Sequence, residues 1–147
     1  MRIDSSAPTR IDLAGGTFDI WPLYLFHDRA QTINAAISLR AHCTITSRRD
    51  YRIVLISEDT GDMVDVADPQ ALDNSELPLI ARLVRFFGAR GVEVRTHAES
   101  PVGAGIAGSS AMNVAVIGAL AAWTGRPIGD EDLLTVAMNI EAQVLGV

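Results

Sequence analysis

The sequence predicts an α+β domain, on three observations. Strand-like alternation dominates the first half of the chain, two helical stretches follow one another at its end, and no regular strand–helix–strand alternation joins them. A single domain is expected, because 147 residues, 48% of them apolar, can bury a substantial core.

A first strand is expected at Ile11 to Ala14. From Ile33 to Ile45 the odd positions read Ile33, Ala35, Ile37, Leu39, Ala41, Cys43 and Ile45, and the even ones include Asn34, Ser38, Arg40, His42 and Thr44. That period of two marks a strand with one buried face. The run is long for one strand, so a bend or a second strand is expected around Ser38 to Arg40. Its phase sets Cys43 inward as a small packed hydrophobe and His42 outward. Arg52 to Ser57 and Met63 to Val66 read as a hairpin about the turn-forming Glu58-Asp59-Thr60-Gly61-Asp62.

Leu79, Ile80, Leu83, Val84 and Phe87 recur at helical spacing, with Pro78 in the first turn and Gly88 as the stop. Val92, Val94 and Thr96 then alternate with Glu93, Arg95 and His97, a strand that leads into a glycine-rich loop. Beyond the loop, Ser109 to Trp123 is apolar on nearly every side and should be a central, covered helix. A last helix should begin near Asp130, whose acidic neighbours suit the positive end of a helix, and carry Leu133, Leu134, Ala137, Met138, Val144 and Leu145 inward.

Composition excludes several chemistries. The net charge of −6 and the absence of a basic block argue against a nucleic-acid or anionic-membrane surface, leaving a small molecule as the expected partner. All 12 basic residues are Arg, so neither a Walker A lysine nor a Schiff-base lysine is available. Cys43, as the single cysteine, permits no internal disulfide and no multi-cysteine zinc site. The N-terminus lacks the apolar run of a signal peptide and no stretch approaches the roughly 18 apolar residues of a membrane span, so a cytoplasmic protein is expected.

The loop carries the functional signal. Pro101-Val102-Gly103-Ala104-Gly105-Ile106-Ala107-Gly108-Ser109-Ser110 runs straight into the apolar helix, the arrangement in which glycines let the backbone approach a phosphate and the helix N-terminus offers free N–H groups to it. Gly103, Gly105 and Gly108 also satisfy the dinucleotide-binding pattern of a Rossmann fold. That fold requires a parallel strand ending in an acidic residue after the helix, whereas here a second helix follows. The paired serines favour a nucleoside triphosphate, since their hydroxyls can meet a phosphate or its magnesium ion.

Two further stretches carry chemistry-bearing residues. Pro8-Thr9-Arg10-Ile11-Asp12-Leu13-Ala14-Gly15-Gly16-Thr17-Phe18-Asp19 sets an Arg on a strand ahead of a glycine turn and a carboxylate. A carboxylate can accept two vicinal sugar hydroxyls, and an Arg can offset charge on a transferring phosphoryl group; the alternative is a solvated surface turn. Phe18, Trp21, Tyr24 and Phe26 follow closely, either against a sugar ring or in ordinary core packing, and His27 reads as a surface residue. In the last helix Glu141 falls on the apolar side, where a charge needs a cation such as magnesium or an Arg, or else reaches to water from the helix edge.

Together these residues resemble the GHMP small-molecule kinases, particularly the sugar-kinase branch that includes galactokinase and heptose-phosphate kinase. Pro101 to Ser110 is similar to that family's phosphate loop, Pro8 to Asp19 to its first motif, and Ile140 to Gly146 to the approach to its third. The resemblance implies a two-layer fold like domain 2 of ribosomal protein S5, ATP and Mg2+ as cofactors, and a sugar or sugar phosphate as acceptor. It assigns ATP to Pro101, Gly103, Ala104, Gly105, Ile106, Ala107, Gly108, Ser109 and Ser110, and the metal to Ser109 and Glu141, with Ser109 preferred over Ser110 by counting from Gly105. It assigns substrate to Gly15, Gly16, Thr17 and Asp19, and the catalytic cation to Arg10. The domain expected is an incomplete GHMP N-terminal ATP-binding domain over residues 1–147, inactive alone, with the catalytic Asp and the C-terminal domain beyond Val147. The alternative is a truncated, non-catalytic nucleotide-binding or interaction module.

Overall fold

The computed structural model describes residues 1–16, 22–27, 29 and 31–145. Its frame is one five-stranded sheet built from β1 (Arg2–Ala14), β2 (Ile33–Ser47), β3 (Ile53–Ser57), β4 (Met63–Val66) and β5 (Val92–Ala98), in the order β1-β2-β5-β3-β4. All pairings are antiparallel except the parallel pair β3–β5. The helices are the short α1 (Leu23–Phe26), α2 (Pro78–Phe87), α3 (Gly108–Thr124) and α4 (Asp130–Leu145). α3 lies across β1, β2 and β5, with α2 and α4 packed beside it. This is the two-layer α+β arrangement expected, and no helix of the described residues is long and apolar enough to cross a membrane.

The core follows from the two periodicities. Ala41, Cys43 and Ile45 of β2, Leu55 of β3 and Val92 and Val94 of β5 point one way and meet Leu83 and Val84 of α2 and Val116, Ile117 and Leu120 of α3. The intervening residues of β2 and β5 form an open, polar face. There His42 and His97 stack with ring centroids 6.2 Å apart, His42 Nε2 lies 2.9 Å from Glu99 Oε1, and Arg95 bonds Glu58 and Glu93. His42, followed by the Arg40 backbone N–H, holds the Glu99 carboxyl below its ordinary range.

Several expectations are corrected in detail. β1 begins at Arg2 rather than Ile11; after Ile3 its inward residues are the small Ser5, Ala7 and Thr9, which give little hydrophobic periodicity. They are small because α3 comes close: a Cβ on Gly118 would sit 3.1 Å from Ser5 Oγ. β2 is one strand, and the expected bend appears as a register shift, with Arg40 opposite Pro8 but Ala36 opposite Arg10. Ile33 and Ala35 at its start are exposed, not inward. A 3-10 helix at Pro69–Asn74, N-capped by Asp68, was not anticipated. On α4, Leu134 and Met138 are 57% and 44% exposed, and the inward face is instead Leu133, Val136, Ala137 and Ile140; the side chains of Val144 and Leu145 lie outside the described set. α2 begins at Pro78 and ends at Gly88 as expected.

Cys43 is packed as expected, and burial, with the nearby Asp4 charge second, pushes its thiol from 9.0 up to about 12. The unfolded chain loses this proton near 9.0 and the native one keeps it to about 12, so stability is undiminished below pH 9 and falls as pH rises above it. A thiol-reactive dye at pH 8 is expected to leave the native protein unlabelled and to label the urea-unfolded chain fully; rapid labelling of the native form would contradict this burial.

Candidate functional site

The glycine loop joins the centre of the sheet to the covered helix. β5 ends at Ala98, and Ser100, itself buried, sits directly beneath the start of α3, so that a Cβ on Gly108 would come 2.9 Å from Ser100 Oγ. Between them the chain turns through left-handed conformations at Gly103 (φ +76°), Gly105 (φ +70°) and Ala107 (φ +57°). The two glycines have open space where a Cβ would be, so it is their dihedral angles and not crowding that call for glycine. Ala107, the residue preceding α3, takes the same conformation despite its methyl group, a strain of about 1–2 kcal/mol. No side chain caps the N-terminus of α3, which leaves its first N–H groups to other acceptors.

The loop forms one wall of a cavity of about 590 Å³, a size suited to a small-molecule ligand. Pro101 and the residues from Gly103 to Ser109 line it; Ser110 does not. The facing wall comes from the β3–β4 turn and from the approach to α2, including Asp59, Thr60, Asp62, Glu76 and Leu77. The turn is held in place by Asp59, whose carboxylate accepts the Ala98 N–H at 3.0 Å and lies 3.1 Å from His97 Nδ1, and by the Glu58 N–H donated to Thr96 O at 3.0 Å. Sequence reasoning read this segment only as a hairpin turn and did not include it in the site. The density of Asp and Thr in a five-residue connection was the available signal.

The N-terminal motif meets the loop through the backbone. The Arg10 N–H donates to Ile106 O at 3.2 Å, which ties the far part of β1 to the phosphate loop, and the Arg10 side chain bonds Asp12 Oδ1 at 3.0 Å. Gly15 (φ +75°) and Gly16 then fold the chain tightly: a Cβ on Gly15 would lie 2.4 Å from the Gln31 carbonyl oxygen, and one on Gly16 would lie 2.6 Å from Asp12 Oδ2. Thr17 and Asp19 lie outside the described residues, as do Phe18, Trp21 and the side chain of Tyr24. Phe26 and His27 are exposed.

Glu141 is half-buried on the face of α4 that also carries Ala137, and its Oε1 is fully buried with no hydrogen-bond partner. A buried carboxylate oxygen without a donor suits a hard cation. Ser109 at the first turn of α3 offers an exposed hydroxyl on the cavity side. Among the described residues no three His, Cys, Asp or Glu side chains cluster as a metal cage. Ser109 lines the cavity and Glu141 is not among its lining residues; each supplies an oxygen of the kind that a hard cation such as Mg2+ takes.

Residues 77–147 match the GHMP kinases N terminal domain. The chain is 34% identical to the D-glycero-alpha-D-manno-heptose 7-phosphate kinase of Campylobacter jejuni, over 99% of this chain and 44% of that protein. The chain is thus similar to the GHMP kinases, with a match to their N-terminal domain over residues 77–147. A crystal structure of a D-glycero-D-manno-heptose 1-phosphate kinase from Bacteroides thetaiotaomicron superposes with a TM-score of 0.85 at 29% identity, covering all of this chain and 50% of that one. The fold extends to Methanococcus jannaschii mevalonate kinase, with a TM-score of 0.79 at 14% identity over 99% of this chain and 48% of that one. The chain thus spans about half the length of the relatives it matches.

The turn that closes β1 gives a direct test of how this fold is assembled. Gly15→Ala meets the Gln31 carbonyl and adds left-handed strain, a loss of about 2 kcal/mol or more. A urea titration should show the lower midpoint, and an unchanged midpoint would mean that the turn is not packed as described.

Proposed function

We propose that residues 1–147 form the ATP-binding N-terminal domain of a GHMP kinase that transfers the γ-phosphoryl group of ATP to a hydroxyl of a sugar or sugar phosphate. The observation that carries this reading is the left-handed loop from Gly103 to Ala107, which opens the uncapped N-terminus of α3 onto a ligand-sized cavity. The printed names of the heptose-phosphate kinase relatives support the acceptor class.

In this proposal the N–H groups from Gly103 to Ser110 hold the phosphates, with the helix dipole favouring their negative charge. Pro101, Ala104, Ile106 and Ala107 supply backbone and shape to the same cradle. Ser109 and Glu141 would hold Mg2+, which would offset the negative charge of the phosphates. Arg10, tied to the loop through Ile106, counters charge that builds on the transferring group. Gly15, Gly16, Thr17 and Asp19 bind substrate, the roles of Thr17 and Asp19 resting on the motif alone. The acceptor oxygen forms a bond to the γ-phosphorus as the bond to the ADP oxygen breaks, and the hydroxyl proton passes to a general base.

The test is calorimetric titration of this chain with ATP, with and without Mg2+. Ser109→Ala and Glu141→Gln are each expected to weaken Mg2+-dependent ATP binding about tenfold, equivalent to about 1.4 kcal/mol, while leaving metal-free binding nearly unchanged. Nucleotide binding indifferent to both substitutions would remove the metal assignment, and no nucleotide binding at all would remove the kinase reading.

A further inference from the structure

We propose that Asn113 is a positioning residue that fixes α4 against α3 in the register that sets Glu141 opposite Ser109; the inference rests on the metal assignment above. Asn113 is wholly buried in a helix whose other buried residues are all apolar. Burying an amide is costly unless it is bonded, and here its Nδ2 donates to the Ala137 carbonyl of α4 at 2.8 Å. That bond links the two helices deep in their interface.

Its place in the sequence matters as much as its burial. α3 and α4 are joined by a short connection and α4 doubles back along α3, so steps toward the N-terminus of one match steps toward the C-terminus of the other. One turn back from Asn113 is Ser109, and one turn on from Ala137 is Glu141. Residues four apart share a helix face and are separated by about 6 Å along the axis. The link therefore lies one turn below the two groups assigned to the metal. The carbonyl that Asn113 grips is also the one that the Glu141 N–H meets in regular helix geometry, so the amide holds the very turn that carries the carboxylate.

The other end of the amide has no hydrogen-bond partner: Asn113 Oδ1, like Glu141 Oε1, is a buried acceptor without one. An apolar residue of the same size would satisfy the packing without leaving an oxygen unpaired. The amide is thus a poor choice for stability alone and a good one for registering two helices, the use for which buried polar side chains are best attested.

The experiment is Mn2+ titration, followed by electron paramagnetic resonance, of the full chain with a non-hydrolysable ATP analogue, beside calorimetric titration of the analogue without metal. Asn113→Leu keeps the volume and removes the link, and is expected to weaken Mn2+ binding about tenfold while metal-free analogue affinity stays within about twofold. If that variant loses its native circular dichroism, Asn113→Ser, whose hydroxyl is too short to reach Ala137, is read in its place. Unchanged Mn2+ affinity in a folded variant, while Glu141→Gln still weakens it, overturns the positioning role and leaves the metal site standing. Equal losses of metal and metal-free nucleotide affinity overturn it in favour of a merely structural role. If Glu141→Gln also has no effect on Mn2+ binding, the metal assignment fails and takes this inference with it.

Discussion

The arrangement depends on the join between β5 and α3. β5 has hydrogen-bonded neighbours on both sides, antiparallel to β2 and parallel to β3, and leads directly into the glycine loop. α3 is buried over most of its length, from Ala111 to Ala121. Neither element can shift without breaking sheet pairing or exposing core, so the few residues between them must make a sharp change of direction in a set space. That demand accounts for left-handed conformations at every second residue from Gly103 to Ala107 and for the close approach of Gly108 to Ser100. The cradle's shape is imposed by its two rigid ends rather than by contacts within the loop.

The second helix of the pair does a different task. α4 brings a carboxylate to the buried side of a helix interface and leaves one of its oxygens without a donor. Such an atom is tolerated only where something outside the helix pair compensates it. The proposed pairing of the exposed serine on α3 with the partnerless oxygen on α4 would supply that compensation through a shared cation.

Where the sequence was informative, it was because a local rule and the tertiary environment agreed. Pro78 and Gly88 bracket α2, the acidic run at Asp130 opens α4, and the period of two through Ala41, Cys43 and Ile45 gives the buried face of β2. The glycine loop was legible because three glycines before an apolar helix have few other uses. The beginning of β1 was not legible, since Ser5, Ala7 and Thr9 are small to admit α3 and carry almost no hydrophobic signal. Leu134 and Met138 misled for the opposite reason: an apolar side chain is no guarantee of burial. Asn113 was readable as a polar residue inside an apolar helix, but its partner depends on the packing of α4, which sequence alone does not specify. The cavity wall at Asp59 to Asp62 was hidden because turn residues serve many unrelated ends.

The edges of the sheet have a consequence for how the protein meets its neighbours. Among the described residues no strand pairs with the outer side of the long β1, yet Pro8 lacks an N–H, the pairing shifts register at Pro8/Arg10 and Asp12/Ala14, and the charged Arg2 and Asp4 flank its start. The opposite edge, β4, has only four residues. Both are poor templates for an added strand. Main-chain pairing with a second protein, whether in a dimer or in a fibrillar aggregate, is therefore disfavoured on either side, and association is left to side-chain contacts.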